Sequence, residues 1–123
     1  MIMILFALAL AAPAPAQTQA DLTAQAGGDW KRADMAMNAQ YRATMAFMKT
    51  MDAHPAPDAK RGPTYQQALL ASQRAWLAFR DAQCVIDSYG YRGGSAQPME
   101  QLACMATLTR QRTKQLKDLV WQR

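Results

Sequence analysis

Two cysteines, Cys84 and Cys104, are the residues whose type and spacing most clearly allow chemistry. The segments around them, SQRAWLAFRDAQC and PMEQLACMATLTRQR, have helical character and flank the glycine-rich loop YGYRGGS. Cys84 lies five residues before Tyr89, and Cys104 lies six after Pro98. If the two helices are antiparallel, both cysteines are therefore roughly 8 to 9 Å from the turn. This equal height predicts a disulfide between the second and third helices.

A redox role for these thiols is not predicted, because the sequence contains neither a CxxC arrangement nor a visible means of activating a thiolate. In an oxidising compartment, paired cysteines normally become structural disulfides. Closing a loop of this length contributes roughly 3 kcal/mol in the chain-entropy description. We therefore interpret the pair as structural.

Other residue types that support catalysis are present but poorly arranged. The single histidine, His54, lies in a proline-rich linker, and Ser95 lacks the G-x-S-x-G context of an activated serine. Asp81 and Asp87 are six residues apart and do not share a helical face, while Glu100 is isolated. We predict a protein that is not an enzyme and that needs no cofactor.

Methionines suggest a copper site as an alternative, because Met45, Met48, Met51 and His54 recur every third residue. Thioether sulfur and imidazole both suit Cu(I). On a helix, however, each three-residue step turns the side chain by about 60°, so Met45 and His54 would point to opposite sides. Packing in a helical core is the preferred interpretation, and no metal site is predicted.

The first residues predict export. Met1 to Ala12 is uncharged and apolar, and small residues recur around Pro13 and Pro15 at the spacing that signal peptidase recognises. The run is shorter than the about 20 residues that a membrane-spanning helix needs. We expect a signal peptide over residues 1–16, a flexible arm over 17–28, and one helical domain over 29–123 that is periplasmic or secreted.

Apolar periodicity predicts an all-α, three-helix up-down bundle. The first helix should end near Ala53, before the Pro55 and Pro57 linker, and the second should begin after Thr64 as N-cap. The third should begin around Ala96 to Pro98. The predicted inward stripes are Trp30, Ala33, Met37, Tyr41, Met45, Met48 and Met51 in the first helix; Tyr65, Leu69, Ser72, Trp76, Phe79, Gln83 and Ile86 in the second; and Leu102, Met105, Thr109, Leu116 and Leu119 in the third.

Equal steps away from the two cysteines predict further contacts between the second and third helices. Trp76 lies eight residues before Cys84, and Arg112 lies eight after Cys104, so a guanidinium stacked on an indole is expected. By the same counting Arg80 lies opposite Leu108 and Thr109. Arg80 is expected to hydrogen-bond across the seam or to pair with Asp81 or Asp87.

These residues together resemble the lysozyme inhibitor LprI N-terminal domain family of exported bacterial proteins. The resemblance runs from about Trp30 to Leu119 and is carried by ADMAMNAQYRA, LLASQRAWLAFRDAQC, the GGS turn and C-x4-T-x2-R-x3-L from Cys104. The residues that match the motif are Trp76, Arg80, Cys84, Gly93, Gly94, Ser95, Cys104, Thr109 and Arg112. The resemblance implies a small helical exported module that binds and inhibits lysozyme or another wall-cleaving muramidase.

The loop between the cysteines is the expected partner-binding surface, because tyrosine and arginine dominate interface energetics. The candidate residues are Tyr89, Tyr91, Arg92 and Ser95. The net charge of +5 and pI near 9.6 favour a second hypothesis, because common lysozymes of animal secretions are themselves basic and two basic proteins repel at long range. In that alternative the chain contacts an anionic envelope surface through the cations of its last helix, which are Arg110, Arg112, Lys114, Lys117 and Arg123. A nucleic-acid partner is not predicted, since interleaved aromatic stacking positions are missing.

Overall fold

The computed structural model describes residues 12–58 and 60–121, and these form three α-helices without a β-strand. Helix α1 is Gln19–Ala53, α2 is Tyr65–Asp87 and α3 is Gln97–Asp118. A short 3-10 helix, Ser88–Tyr91, follows α2 directly. The predicted all-α three-helix bundle is confirmed, and the expected signal peptide lies mostly outside the described residues.

Helix α1 begins ten residues earlier than predicted, at Gln19 rather than Asp29. The Thr18 side chain accepts from the backbone N–H of Asp21, and the Asp21 carboxylate accepts from the N–H of Thr18, a reciprocal capping box that satisfies donors at the helix start. The prediction of a flexible arm over 17–28 is therefore wrong for residues 19–28. Gly27 and Gly28 both lie within this helix.

The early part of α1 is held against the start of α3. Gln19 Nε2 lies 3.5 Å from Met99 Sδ, and a Cβ placed on Gly27 would lie 3.8 Å from Leu102 Cδ1. Helix α1 packs more extensively on α3 than on α2. Sequence periodicity missed this segment because the residues at these contacts are a glutamine and a glycine, which form no apolar stripe.

The core contains Met37 and Met48 from α1, Leu69 from α2 and Leu116 from α3. Partly buried side chains surround it: Tyr41, Met45, Phe47, Tyr65, Trp76, Leu77 and Leu119. Within this core, Thr44 Oγ1 donates to the Leu116 carbonyl at 2.9 Å. Met37, Met45, Met48 and Met51 thus contribute to packing, as the stripe predicted.

The inward stripe predicted for α2 is wrong in its second half. Phe79 and Ile86 are 54% and 57% exposed, whereas Gln73, Arg80 and Cys84 are buried. Hydrophobicity alone would not place Gln73 or Arg80 inside, because burial of such groups requires hydrogen-bonding partners from other helices. Those partners are present, and α2 is rotated accordingly.

The connection between α1 and α2 is closed by Asp52. Its carboxylate accepts from the backbone N–H of Tyr65 at 2.8 Å and of Gln66 at 3.1 Å, and from Gln66 Nε2 at 3.1 Å. Partial desolvation acts to raise the pKa of Asp52, but these hydrogen bonds outweigh it, so the pKa is lowered from its ordinary value. The N-terminus of α2 is thereby capped twice, by the adjacent Thr64 and by Asp52 of α1.

Asp52→Asn and Asp52→Ala should each lower the thermal midpoint at pH 7. A carboxylate with a lowered folded-state pKa stabilises the fold fully above its unfolded-state pKa of about 4, and this stabilisation is lost as the pH falls through the folded-state pKa. The difference between wild type and Asp52→Asn should therefore shrink on acidification in thermal melts followed by circular dichroism. Asp58→Asn, in the same connection, is the control. A difference that stays constant down to pH 2 would contradict this account.

Candidate functional site

The predicted disulfide is confirmed. Cys84 of α2 and Cys104 of α3 are bonded, with their Cα atoms 5.5 Å apart, and Cys84 is fully buried. The bond joins the two helices that flank residues 88–96, a segment that we name the tip. The tip comprises the 3-10 helix and the turn that leads into α3.

The Gln97 side chain at the start of α3 forms hydrogen bonds to two residues of the tip. Gln97 Oε1 accepts from the backbone N–H of Gly93 at 3.0 Å, and Gln97 Nε2 lies 3.4 Å from the buried Ser88 Oγ. The Ser88 hydroxyl also donates to the Val85 carbonyl at 2.7 Å. One amide therefore connects Ser88, at the start of the tip, with Gly93 in its turn, a role that the sequence pattern did not indicate.

The backbone requires glycine at positions 93 and 94 for two different reasons. Gly93 has a φ of +79°, in the left-handed region that glycine adopts without steric cost. At Gly94 an added Cβ would lie 3.2 Å from the Tyr91 carbonyl oxygen, which accepts the Gly94 N–H at 2.9 Å. The glycines of the GGS turn are thus needed for the path of the backbone.

The predicted partner-binding residues lie on the outer surface of the tip. Tyr89 and Tyr91 are 37% and 52% exposed, and Arg92 and Ser95 are exposed as well. The Arg92 guanidinium lies over the Tyr89 ring, 4.5 Å from its centroid, a cation–π contact that orients the charge. The tip therefore presents an oriented guanidinium beside two tyrosines.

Beneath the tip, Arg80 crosses the bundle and contacts all three helices. Its Nη1 donates to Asp34 Oδ1 of α1 at 3.2 Å and to Thr109 Oγ1 of α3 at 3.3 Å, and its Nε donates to Asp81 Oδ1 at 3.0 Å. The guanidinium also lies 5.8 Å from the Trp30 ring centroid and 5.4 Å from that of Trp76. The predicted contacts of Arg80 with Thr109 and with an aspartate are confirmed.

Arg112 approaches the same indole from α3. Its guanidinium lies 5.7 Å from the Trp76 centroid, which confirms the predicted stacking. Its Nε donates to Gln73 Oε1 at 3.0 Å and its Nη2 to Ser72 Oγ at 2.8 Å. Burial lowers the pKa of Arg112. Its described partners are neutral, so the buried cation depends on amide and hydroxyl oxygens.

The motif residues therefore form two connected groups. Trp76, Arg80, Thr109 and Arg112 meet in the interior, while Gly93 and Gly94 shape the tip beyond the disulfide. The sequence pattern predicted that Trp30 faces inward but not its contact with Arg80, and it did not indicate Asp34 or Gln73, which supply polar partners from positions far along the chain. An apolar stripe cannot reveal such polar partners.

The basic surface of α3 is smaller than the sequence suggested. Arg112 is only 8% exposed and is used in the interior, and Arg123 lies outside the described residues. Arg110, Lys114 and Lys117 remain exposed at i, i+4 and i+7 spacing, on one face of the helix.

Within residues 12–58 and 60–121, no group of three or more His, Cys, Asp or Glu side chains is placed to hold a metal ion. The helices of the same residues include none that is long and apolar enough to cross a membrane.

The fold and site define a small disulfide-linked helical module, with a tip braced by the disulfide and a buried arginine–tryptophan interior. Residues 10–116 match the family described as Lysozyme inhibitor LprI, and the chain belongs to that family. It is also similar to Uncharacterized protein R02472 of Rhizobium meliloti (strain 1021), with 38% identity over 103 residues that cover 84% of this chain and 74% of the relative. No solved structure matches the chain.

Arg112→Ala should destabilise the fold by about 2 to 3 kcal/mol, because Gln73 would lose its buried donor and Trp76 its cation. Urea unfolding of the oxidised protein measures this change. Gln115→Ala is the matched control, since Gln115 accepts from Arg112 Nη1 at 3.3 Å but is exposed, and it should cost less than about 0.5 kcal/mol. Equal effects of the two substitutions would contradict the role assigned to the buried contacts.

Proposed function

We propose that this protein is an exported inhibitor that binds lysozyme, or another wall-cleaving muramidase, through the tip. Membership of the LprI family supports a lysozyme-inhibitor-like role at the level of the family. The observation that carries the proposal for this chain is the exposed pair of Arg92 and Tyr89 at the end of two disulfide-linked helices. The protein acts by occupying the enzyme and catalyses no reaction itself.

Rigidity supports the choice of the tip over other exposed surfaces. Ordering a loop on binding costs free energy, so a loop that is already ordered binds more tightly for the same contacts. Here the Cys84–Cys104 bond holds the helices, Gln97 bonds to the start and to the turn of the tip, and Tyr89 orients Arg92. Tyr91 adds exposed aromatic surface of the kind that dominates many interfaces.

Local charge supports lysozyme as the partner despite the net charge of +5. Lysozyme cleaves its substrate with a pair of carboxylic acid residues in its cleft. An outward guanidinium such as that of Arg92 complements such a cleft, even where the two proteins repel at long range. We therefore propose that Arg92 faces the catalytic carboxylates.

Export is the second part of the proposal. The predicted signal peptide over residues 1–16 contains the apolar run from Met1 to Ala12, and the disulfide is of the kind that persists in oxidising compartments. A periplasmic or secreted location would bring the inhibitor to wall-cleaving enzymes.

The exposed Arg110, Lys114 and Lys117 face favours one alternative, contact with an anionic envelope surface. In that case the protein would inhibit no enzyme. Among the described residues this face has three exposed cations, so binding would be weak and strongly dependent on salt.

Tyr91→Ala and Arg92→Ala should each weaken inhibition by roughly tenfold or more, since each removes a central contact of the proposed interface. The measurement is the concentration that halves lysozyme activity in a cell-wall clearing assay with the purified oxidised protein. Met35→Ala and Arg42→Ala, exposed side chains of α1, are the matched controls and should leave inhibition unchanged.

Wild-type protein that leaves clearing unchanged with several lysozyme types would refute the inhibitor proposal. If that protein also pellets with anionic vesicles at low salt and is released at high salt, the envelope-surface alternative is supported.

Gln97→Ala should also weaken inhibition, although Gln97 lies beneath the tip and would not touch the enzyme. Loss of its amide releases the Gly93 N–H and Ser88 Oγ, so the tip becomes mobile and binding must order it again. Binding calorimetry should show a more unfavourable entropy than for wild type. Gln111→Ala, an exposed glutamine of α3, is the control. Unchanged entropy and affinity would contradict the rigid-tip account.

A further inference from the structure

The solvent-facing side of α2 carries a long surface without charge. Its exposed central positions follow one another at alternating spacings of three and four: Ala68, Ala71, Ala75, Ala78, Ala82 and Val85. Phe79 and Ile86, 54% and 57% exposed, run along one edge. From Ala68 to Ile86 this surface, which we name the α2 outer face, is about 27 Å long.

Alternating spacings of three and four are those of the seam between two helices that pack side by side. Alanines at such positions allow two helix axes to approach closely, because the separation depends on the side chains at the contact. In this bundle the seam positions of α2 point away from α1 and α3, which pack on the side of Leu69, Gln73 and Cys84. The seam therefore lacks a partner among the described residues.

Charge indicates what that partner is. Between Tyr65 and Ile86 the charged residues are Arg74, Arg80 and Asp81, and Arg80 is buried. Arg74 and Asp81 are one heptad apart and lie on the edge opposite Phe79 and Ile86. Among the described residues Arg74 has no salt bridge, and the side chain of Asp81 is 60% exposed, although its Oδ1 already accepts a hydrogen bond from Arg80 Nε at 3.0 Å. The edge thus carries one cation and one anion that a second copy can complement.

We propose that two copies of this protein associate through their α2 outer faces in an antiparallel, two-fold symmetric pair. In antiparallel helix pairs, like edges of the two helices meet, so Arg74 of each copy faces Asp81 of the other. The same register places Ala75 opposite Ala78 and Ala71 opposite Ala82. On the other edge, Phe79 covers Ser72 of the second copy.

Two other arrangements fit the surface less well. A parallel pair would place the Arg74 edge against the Phe79 edge, leaving a charge over an apolar side chain. An anionic membrane surface selects helices whose apolar face is bordered by Lys and Arg, whereas this face is bordered by one cation and one anion. Antiparallel self-association therefore buries the apolar surface and pairs the opposite charges at its edge.

The pair is expected to be weak, because a face of this length lies at the lower end of interface sizes. Sedimentation velocity of the purified oxidised protein, over about 1 µM to about 1 mM, should show a monomer that becomes a dimer. Ala78→Glu places two charges in the seam and should weaken dimerisation by about tenfold or more. Ala43→Glu, at an exposed alanine of α1, is the matched control and should dimerise as wild type.

Register and orientation have their own test. Arg74→Glu should weaken the dimer by placing two acidic side chains together, whereas Arg74→Lys should preserve it. A mixture of Ala71→Cys and Ala82→Cys chains should form a disulfide-linked heterodimer under mild oxidation. Either chain alone should cross-link little, because in the antiparallel pair the two copies of position 71, like those of position 82, lie roughly 16 Å apart along the helix axes.

Several outcomes would overturn the proposal. A wild type that stays monomeric over the whole concentration range would do so, as would an Ala78→Glu protein that dimerises normally. The proposal would also fail if Ala43→Glu weakened dimerisation as much as Ala78→Glu, or if Ala71→Cys chains cross-linked efficiently with one another. A monomeric wild type whose lysozyme affinity falls with Ala78→Glu would assign the α2 outer face to the enzyme instead. Circular dichroism melts of each variant establish that the fold is intact, so that a loss of dimer reports the interface.

Discussion

The interior of this bundle depends on two guanidinium groups that share one indole. Arg80 and Arg112 both lie within 6 Å of the Trp76 ring centroid, one from the same helix and one from α3. A buried cation is unfavourable unless its donors are satisfied, so each arginine requires a set of oxygen atoms at fixed positions. Arg80 donates hydrogen bonds to Asp34, Asp81 and Thr109, and Arg112 donates to Gln73 and Ser72. These requirements set how the three helices face one another.

The rotation of α2 follows from this arrangement and explains both of its surfaces. With Gln73, Arg80 and Cys84 turned inward, Phe79 and Ile86 must face outward, because they lie on another side of the same helix. The inner side then supplies stability and orientation, while the outer side is left apolar and nearly free of charge. A fold driven by hydrophobicity alone would have buried Phe79 and left Arg80 in water.

The tip is a consequence of the same packing. Cys84 lies one turn beyond Arg80, and Cys104 precedes Thr109 by five residues, so the contacts of Arg80 bring the sulfurs to one height. The disulfide in turn determines where residues 88–96 leave the bundle. Gln97 and the glycines complete the turn, and Arg92 is oriented on Tyr89. Bundle packing and tip geometry are therefore connected through a few polar and covalent contacts.

The sequence by itself determined the helix count, the end of α1 near Ala53, the cap at Thr64 and the start of α3, because prolines, caps and apolar periodicity act locally. It also determined the disulfide and the meeting of Trp76 with Arg112, since regular helical rise converts sequence distance into height. Only the tertiary structure decided that α1 begins at Gln19, that Gln73 and Arg80 are buried, and that Phe79 is exposed. Each of these depends on groups supplied by other helices, such as Met99, Leu102 and Asp34, and the free energy of such contacts cannot be seen in a local pattern of residues.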